Sequence, residues 1–363
     1  MSLNFDVRPN PHPRSAHERA AILANPGFGT RFTDHMAVAT WTVADGWHDS
    51  AVVPYAPFQL DPAAAILHYA QGVFEGLKAY RHPDGSIWLF RAEENARRFQ
   101  RSAQRLGLPE LPVEAFMESL HQLVSADHAW VPDPDGGEAS LYLRPFMFAS
   151  EAFLGVRASH HVTYSLIASP AGAYFASGVK PVDIWISTRY SRAGAGGTGA
   201  AKCGGNYASS LLAQEEAAQN GCAQVLFADA GRHEFVEELG GMNICFVRGD
   251  ELVTPALTGS ILEGVTRSSI LMLAAKQGLR AVERPVGLAE LLEGIGDRSI
   301  SEVFACGTAA VITPISGFAD ESGRTYRVAG GEVGEHTSAL RQSLLDLQFG
   351  RAEDVEGWLT RVR

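Results

Sequence analysis

The sequence predicts a two-domain protein of mixed α/β (α+β) class, and three observations support this fold class. A chain of 363 residues is long enough for two domains that each bury a core. Strand-like and helix-like runs alternate through both halves of the chain. A segment rich in Gly, Ala and Pro at 169–181 separates the two halves. We therefore expect a small domain at 1–172, an interdomain loop at 173–181 and a large domain at 182–363.

The first half contains one clear helix between strands. "SIWLF" (86–90) predicts a strand, and residues 92–107 predict a helix with Phe99 on its inner face and Gly107 at its end. Residues 140–150 and 161–169 predict two more strands, because both runs are rich in β-branched and aromatic residues.

The second half has shorter strands. We expect two strands with a helix between them, at 182–188, 223–229 and 206–220. Residues 243–255 predict a hairpin that turns at Gly249. Residues 265–278 predict a helix that is capped by Thr266 and ends at Gly278.

Composition excludes several classes of protein. A net charge of −11 argues against a nucleic-acid-binding protein, because phosphate binding depends on Lys and Arg. No apolar run reaches the eighteen or so residues of a membrane span. Four scattered cysteines indicate neither a zinc site nor a disulfide framework, so no metal is expected and a reducing compartment fits best. Without an apolar leader at its start, the chain is expected to be cytoplasmic.

One lysine stands in an unusual setting. Lys202 lies within "GGTGAAKCGGNYASSLLAQEEA" (196–217), a run of small residues that precedes a predicted helix, and it has no carboxylate among its near sequence neighbours. A lysine amine with a lowered pKa forms a Schiff base with a carbonyl such as that of pyridoxal phosphate. Adjacent glycines would allow the backbone to approach a flat cofactor. The alternative is a solvated loop lysine.

A dinucleotide-binding motif competes for the same stretch. Gly194, Gly196 and Gly199 match G-x-G-x-x-G after a strand, but "RYSRA" separates the strand from the first glycine and "CGGN" precedes the helix. A Walker phosphate loop is excluded because no Gly-Lys-Ser/Thr follows. The lysine is therefore the stronger indication of function.

A pyridoxal phosphate site also needs a phosphate cradle and a carboxylate for the pyridine nitrogen. The Val265 and Thr266 amides at a helix N-terminus would suit a phosphate, although ordinary capping explains the same pattern. Glu237 and Glu238 offer the carboxylate; most such pairs are solvated, but strand alternation would turn one inward and one outward. The small-residue loop in 304–312 would suit an anion or tight packing.

Together these segments resemble the branched-chain amino acid aminotransferases, which are pyridoxal phosphate enzymes of fold type IV. The resemblance extends from about residue 28 to residue 351 and is carried by "FEGLKAY", "SLYLRPFMF", "GAYF", "KCGGNYASS", "EELGGMN", "GSILEGVTR" and "FACGTAA". It implies the two-domain fold of that class, with Lys202 in the large domain.

The resemblance also implies the residues of the cofactor site. Lys202 matches the Schiff-base lysine, Tyr207 the tyrosine beside the phenolic oxygen, and Glu238 the partner of the pyridine nitrogen. The family's phosphate ligands fall on Arg98, Val265, Thr266 and Thr308. The residues alone left Arg97, Arg98 and Arg101 as equal candidates, and the resemblance selects Arg98.

The implied activity is ping-pong transfer of the amino group between Leu, Ile or Val and 2-oxoglutarate. The matching substrate pocket is formed by Phe28, Tyr69, Phe74, Tyr142, Arg144, Tyr174 and the backbone N–H of Ala309. The family also implies a homodimer. Within the same fold, D-amino acid aminotransferases and aminodeoxychorismate lyases are the close alternatives. A nicotinamide dehydrogenase and a non-catalytic binding protein are alternatives from other classes.

Overall fold

The computed structural model describes residues 3–133, 137–172 and 179–363. The chain forms two compact units: residues 1–176, 201–204 and 346–363 form the first, and residues 177–200 and 205–345 form the second. Lys202 thus belongs to the first unit, whereas the sequence boundaries assign it to the second domain. Those boundaries stay a prediction, and most of the expected loop at 173–181 lies outside the described residues.

The first unit is built on a mixed sheet. Its strands are β1 (Asp6–Val7), β2 (His35–Thr42), β3 (Gly46–Pro54), β4 (Gly72–Phe74), β5 (Leu77–Arg81), β6 (Ile87–Phe90), β7 (Ser140–Ala149), β8 (His161–Ala171) and β18 (Leu359–Arg361). They pair in the order β1-β3-β2-β8-β7-β5-β6-β18, and β4 also pairs with β7. Its helices are α1 (Ala16–Ala24), α2 (Ile66–Tyr69), α3 (Ala92–Arg105) and α4 (Val113–Ala126).

Helices α3 and α4 bury the apolar residues of this sheet. Phe99 of α3 and Phe116 of α4 are completely enclosed, and their ring centroids lie 5.5 Å apart. Tyr164 of β8 contacts the Phe99 ring and shares a hydrogen bond of 2.7 Å with Ser119. Aromatic packing of this kind fixes α3, the helix that carries Arg98, against the sheet.

The second unit contains a second mixed sheet. Its strands are β9 (Val182–Ser187), β10 (Gln224–Ala228), β11 (Val236–Leu239), β12 (Asn243–Arg248), β13 (Glu251–Pro255), β14 (Arg280–Arg284), β15 (Glu302–Gly307), β16 (Val311–Ala319) and β17 (Thr325–Arg327). They pair in the order β11-β10-β9-β16-β15-β12-β13-β14, with β17 on β16. The remaining helices are α5 (Gly204–Ala208), α6 (Leu211–Gln219), α7 (Val265–Lys276), α8 (Leu288–Gly296) and α9 (Glu335–Gln348).

Most of the predicted elements are confirmed. Strands β6, β7, β8, β9 and β10 and helix α3 match the expected ranges to within two residues at each end. The predicted hairpin is the antiparallel pair β12 and β13, and Gly249 has the positive φ of +59° that its turn requires. Helix α7 begins at Val265, and Gly278 follows it with φ +82°.

Three local predictions were wrong. The helix expected at 206–220 is split into α5 and α6. The helix is interrupted where the hydroxyl of Ser209 donates to the carbonyl of Arg192 and the hydroxyl of Ser210 donates to the carbonyl of Tyr207. Helix α7 is capped by Gly264 rather than by Thr266, which lies inside its first turn. Glu237 and Glu238 are both buried, because both faces of β11 are covered.

Among residues 3–133, 137–172 and 179–363, no helix combines the length and the apolar character that a membrane span requires.

Candidate active site

Lys202 is held by backbone hydrogen bonds on both sides of its peptide unit. Its N–H donates to the Oγ of Ser102 over 2.9 Å, and its carbonyl accepts the N–H of Phe74 over 3.0 Å. The next residue, Cys203, forms an isolated bridge with Val73. A segment of mostly small residues is therefore fixed at the lysine itself by contacts with β4 and α3.

The Phe74 ring connects Lys202 to a second cation. The Nζ of Lys202 lies 5.1 Å from the ring centroid, and the Cζ of Arg144 lies 4.9 Å from it. Arg144 also donates from Nη2 to the Tyr142 hydroxyl over 3.0 Å. Because the ring quadrupole attracts cations, Phe74 keeps both side chains in place without neutralising their charge.

An aromatic cavity of about 170 Å³ lies in the first unit beside Arg144. Phe28, Phe32 and Tyr142 contribute aromatic walls, and Ile167 contributes an aliphatic one. The rings of Phe28 and Tyr142 meet edge to face, with their centroids 5.1 Å apart. The cavity suits a small apolar group that carries a negative charge at one end.

The other predicted pocket residues have different positions. Tyr69 is 42% exposed, and its hydroxyl donates to the carbonyl of Leu154 over 2.6 Å. Its ring lies against His68. The structure therefore does not place Tyr69 around the Phe74 ring with the others. Tyr174 lies outside the described residues.

Arg98 is the buried arginine of its helix. Its side chain is 4% exposed and pairs with the fully buried Glu75, from Nε to Oε1 over 2.7 Å and from Nη2 to Oε2 over 2.8 Å. Arg97 lies on the outer face and pairs with Glu93 and Glu94. Of these two arginines, helix α3 therefore directs only Arg98 toward the interior.

Glu238 is a buried carboxylate in the second unit. Its Oε1 accepts the N–H of Leu262 over 2.9 Å and pairs with the guanidinium of Arg192, while Oε2 accepts Nδ2 of Asn243 over 3.0 Å. These donors favour the ionised form. Burial raises the pKa of the neighbouring Glu237 above its usual value, against the opposing effect of a hydrogen bond from Ser260. Glu238 thus accepts from a guanidinium, a side-chain amide and a backbone N–H, whereas Glu237 accepts from the Ser260 hydroxyl.

The N-terminus of α7 presents backbone donors. Gly264 has no side chain to cap the helix, so the amides of Val265 and Thr266 stay available for an anion. Thr308 and Ala309 occupy the short turn between β15 and β16 in the same unit. Tyr207 lies in α5, with its Cε1 3.9 Å from the position that a Cβ at residue 241 would take.

Comparisons with known proteins now identify the family. A family model described as amino-transferase class IV matches residues 72–318. The chain belongs to the class IV aminotransferases. It is 56% identical to a probable branched-chain-amino-acid aminotransferase of Streptomyces coelicolor, over 98% of both chains.

Solved structures agree with this assignment. This aminotransferase superimposes on the branched-chain amino acid aminotransferase of Escherichia coli with a TM-score of 0.74 and 28% identity, over 90% of this chain and 100% of that one. A T.th. branched-chain amino acid aminotransferase complexed with N-(5′-phosphopyridoxyl)-L-glutamate gives a TM-score of 0.73 and 28% identity, over 90% of this chain and 99% of that one. The predicted family, fold type and pyridoxal phosphate dependence are confirmed.

The glycine motif of the aminotransferase has a packing explanation. A Cβ at Gly199 would lie 2.2 Å from the carbonyl oxygen of Ser260, so glycine is required there by a close approach of two chain segments. Gly197 N–H donates to Gly194 O over 2.9 Å in a tight turn. Because the motif packs on its own chain, it gives no support to a dinucleotide site.

Sequence reasoning missed three residues that contact the predicted ones. Glu75 and Arg192 are ion-pair partners of Arg98 and Glu238, and Asn243 is a further donor to Glu238. Of these three residues, only Glu75 could have been suspected from the sequence. It is a charged residue inside "VFEGLKAY", and it needs a partner if that run is buried. Nothing in the local sequence of Arg192 indicates its distant partner.

Proposed function

We propose that the chain is a branched-chain amino acid aminotransferase that moves the amino group between Leu, Ile or Val and 2-oxoglutarate, with pyridoxal phosphate as its cofactor. The observation that carries the proposal is the Phe74 ring, with the Lys202 amine on it and Arg144 and Tyr142 beside it. This arrangement supports a nucleophilic role for Lys202 and a carboxylate-binding role for Arg144, which lines the apolar cavity. The names of the similar proteins agree with this substrate class.

The donors and the carboxylate within the second unit suit two parts of the cofactor. A phosphate needs several N–H donors, and the α7 N-terminus supplies the amides of Val265 and Thr266 without a side-chain cap. We assign Arg98 and Thr308 to the same group. A protonated ring nitrogen needs an ionised carboxylate, and Glu238 is buried among donors that keep it so. We assign Tyr207 to the phenolic oxygen.

The residues then divide the chemistry between them. The bound cofactor supplies an electron sink that stabilises negative charge on the substrate α-carbon. The Nζ of Lys202 would accept the α-proton as general base and deliver it as general acid to the C4′ carbon of the cofactor. Glu238 would keep a proton on the ring nitrogen of the cofactor. The Phe74 ring covers one side of the Lys202 amine, with its centroid 5.1 Å from Nζ.

One pocket must accept both an aliphatic side chain and a γ-carboxylate. We assign the carboxylate to Arg144 and the Tyr142 hydroxyl, which are already hydrogen-bonded at 3.0 Å. Phe28 and Phe74 form the apolar wall, and the Ala309 amide, Tyr69 and Tyr174 complete the set by resemblance. The glutamate adduct bound to the T.th. protein supports glutamate and 2-oxoglutarate as the second substrate pair.

We also propose a homodimer in the cytoplasm. Leu154 and Val156 are 75% and 90% exposed, beside the exposed Leu67 and Tyr69, which is more apolar surface than a solvated loop usually presents. Cys203, Cys222, Cys245 and Cys306 are all free thiols, which fits a reducing compartment.

The visible absorption spectrum tests the proposed function. The purified chain, saturated with pyridoxal phosphate, should show a visible band that leucine converts to the pyridoxamine form. Lys202→Ala should lose this conversion by at least ~10²–10⁴-fold, the usual effect of removing a general base. Lys180→Ala, at an exposed lysine, is the matched control and should behave like the unaltered chain. A saturated wild type without a band and without conversion would overturn the proposal.

A further inference from the structure

Asp34 is a buried carboxylate that joins the N-terminal segment of the first unit to the rest of that unit. It is 7% exposed and lies between the cavity residue Phe32 and the start of β2. Its Oδ2 accepts the indole N–H of the buried Trp130 over 2.8 Å. Its Oδ1 accepts the backbone N–H of Arg14 over 3.2 Å. Asp34 therefore connects the interior of the unit to a residue 20 positions earlier in the chain.

Arg14 completes this contact with its side chain. Its Nη1 donates to the carbonyl of Phe32 over 2.9 Å and to Oδ1 of Asp34 over 3.4 Å. Its guanidinium also lies over the Trp130 ring, with the Cζ 5.4 Å from the centroid. The next residue, Ser15, begins α1 with a capping box, which sets the direction in which the chain leaves Arg14. Arg14 is thus held through its backbone and its side chain together.

These contacts close a loop that runs from residue 14 to residue 34, the 14–34 loop. Asn10, just before it, adds two hydrogen bonds to the same place. Its Nδ2 donates to the carbonyl of Asp34 over 2.9 Å, and its backbone N–H donates to Nε2 of His35 over 3.0 Å. The His35 ring is itself fixed by Asp127, whose Oδ1 lies 2.7 Å from Nδ1. The base of the loop is therefore fastened firmly to the first unit.

The 14–34 loop buries little apolar surface of its own. Its helix α1 contains no fully buried residue, and Ile22 and Leu23 are only partly buried against the core. Further along, the carbonyl of Gly27 accepts the N–H of Gly172 over 3.0 Å. Segments with so little buried apolar surface open readily unless other contacts hold them. The contacts at the base of this loop are therefore important for its order.

The same loop carries part of the cavity wall. Phe28 and Phe32 both line the cavity. Phe28 is 49% exposed and meets the ring of Tyr142 edge to face. The ring of Phe32 stacks on that of Tyr55, with the centroids 5.3 Å apart. Because neither ring is enclosed in the core, the position of both depends on the backbone of the loop that carries them.

We propose that Arg14 and Asp34 are positioning residues for substrate binding, whose contact closes the 14–34 loop and thereby holds Phe28 and Phe32 in the cavity wall. The inference rests on the proposed function, because it takes this cavity to bind the substrate. Its physical basis is entropic: side chains that are already ordered cost less to fix when a ligand binds. The competing explanation is a partly exposed ion pair that contributes nothing measurable.

The first test separates affinity from rate. Arg14→Met keeps most of the side-chain length and removes the guanidinium, at a side chain that is 40% exposed, so the variant should fold. Conversion of the pyridoxal phosphate form by leucine, followed by visible absorption, gives an apparent Kd and a maximal rate. The apparent Kd should rise about three- to tenfold, because leucine must then order the aromatic wall. The maximal rate should stay within about twofold, because the contacts of Lys202 with Ser102 and Phe74 lie outside the loop.

Two variants serve as controls for this test. Arg14→Lys keeps a cation that can donate to the same oxygens, and it should recover much of the lost affinity. Arg8→Met removes an exposed arginine of the same N-terminal segment, outside the loop, and should match the wild type. If Arg8→Met raises the apparent Kd as much as Arg14→Met, net charge is the cause and the inference is overturned. A maximal rate that falls as much as the affinity would also overturn it, since that result indicates a general disturbance of the fold.

The second test measures the order of the loop directly. Hydrogen exchange, followed by mass spectrometry, compares the wild type with Arg14→Met in the absence of substrate. The amides of α1 and of Thr33, which donates to the carbonyl of Ala168 over 3.0 Å, should exchange about tenfold faster in the variant. The amides of β7 should be unaffected. Unchanged exchange in the loop, or faster exchange with an unchanged affinity for leucine, overturns the inference.

The two proposals fail in distinguishable ways. Failure of the proposed function appears in the wild type, as a missing absorption band and missing conversion by leucine. Failure of the role of Arg14 appears as a wild type that converts leucine while Arg14→Met binds leucine equally tightly. The exchange measurement needs no ligand, so its result on the 14–34 loop stands in either case.

Discussion

Arg192 and Glu238 form an ion pair in the interior of the second unit, with both side chains only 4% exposed. Arg192 also donates to the carbonyls of Gly199 and Ser260, so the guanidinium is fixed independently of the carboxylate. A buried carboxylate that is paired in this way keeps its charge. This is the state in which Glu238 can hold a proton on a ring nitrogen.

The first prediction concerns the charge of Glu238. Glu238→Gln keeps the size of the side chain but removes its negative charge. Arg192 then lacks this counter-ion, and the protonated ring nitrogen lacks a carboxylate partner. We expect the kcat for leucine to fall by ~10²–10³-fold, as for other losses of preorganised electrostatic stabilisation. Steady-state kinetics at saturating pyridoxal phosphate measures it.

Glu237→Gln is the matched control for this variant. Glu237 precedes Glu238 on β11, is also buried, and has a pKa that burial raises. Its replacement leaves the ion pair between Arg192 and Glu238 in place, so kcat should stay within about threefold of wild type, in the range of an ordinary small perturbation. Equal losses in the two variants would contradict the assignment of Glu238.

The second prediction concerns Gly264, the cap of α7. A Cβ at this position would lie 2.0 Å from Oδ1 of Asn243, whose Nδ2 donates to Glu238. Gly264→Ala should therefore displace Asn243 and destabilise the fold by ~1–3 kcal/mol, as overpacking does. It should also weaken pyridoxal phosphate binding. Thermal unfolding and a cofactor titration measure the two effects.

Gly287→Ala provides the control for that experiment. Gly287 caps α8 with nearly the same backbone angles, φ −66° and ψ 138° against −68° and 127° at Gly264. A Cβ there meets only ordinary contacts, the nearest at 3.6 Å. If both variants lose the same stability and cofactor affinity, the contact with Asn243 is not the cause.

Local sequence patterns predicted which helices and strands form better than they predicted where those elements begin and end. Helix α7 and the hairpin at Gly249 follow directly from periodicity and turn residues. The cap of α7 could not be predicted, since Thr266 is the better capping residue and only the proximity of Asn243 explains Gly264. The break between α5 and α6 likewise depends on Ser209 bonding to Arg192, a contact made by the fold.

Charge partners explain what sequence could not show at the site. Lys202 has no carboxylate near it in sequence, yet Glu75 is part of its surroundings, because β4 pairs its backbone with the lysine segment. Strand alternation predicted one exposed glutamate at 237 and 238, but alternation assumes one solvated face and β11 is buried on both. Tertiary contacts decide both cases.

The third prediction concerns the Phe74 ring. Phe74→Leu removes the aromatic face from Lys202 and from Arg144 together. A cation–π contact contributes ~0.5–2 kcal/mol for each cation. The kcat/KM should therefore fall about tenfold or more, for leucine and for 2-oxoglutarate alike. Phe74→Tyr keeps the face and should retain most of the activity. A loss confined to leucine would mean that Phe74 acts only as an apolar wall.

The fourth prediction concerns the pH dependence of stability through Asp229. Its carboxylate accepts N–H donors from Arg232, Glu234 and Phe235 at 2.9, 2.8 and 2.7 Å, and one from Gly231 at 3.2 Å. Partial burial raises the pKa of Asp229, but the backbone donors outweigh it and lower the pKa to about 2 from the usual 3.8. The folded form therefore binds its proton less tightly than the unfolded chain.

The sign of the effect follows from this lowered pKa. The stabilisation by Asp229 is fully present above about pH 4 and is lost as the pH falls toward about 2. Asp229→Asn should lower the free energy of unfolding by ~1–2 kcal/mol at pH 7. This is less than the full contribution of hydrogen bonds to a charged group, because solvent screens the half-buried carboxylate. The difference in stability from wild type should shrink below about pH 4. Urea unfolding at several pH values measures it, with Asp250→Asn in an exposed turn as the control. A difference that stays constant down to about pH 2 would show that the charge of Asp229 does not hold the loop that leads into β11.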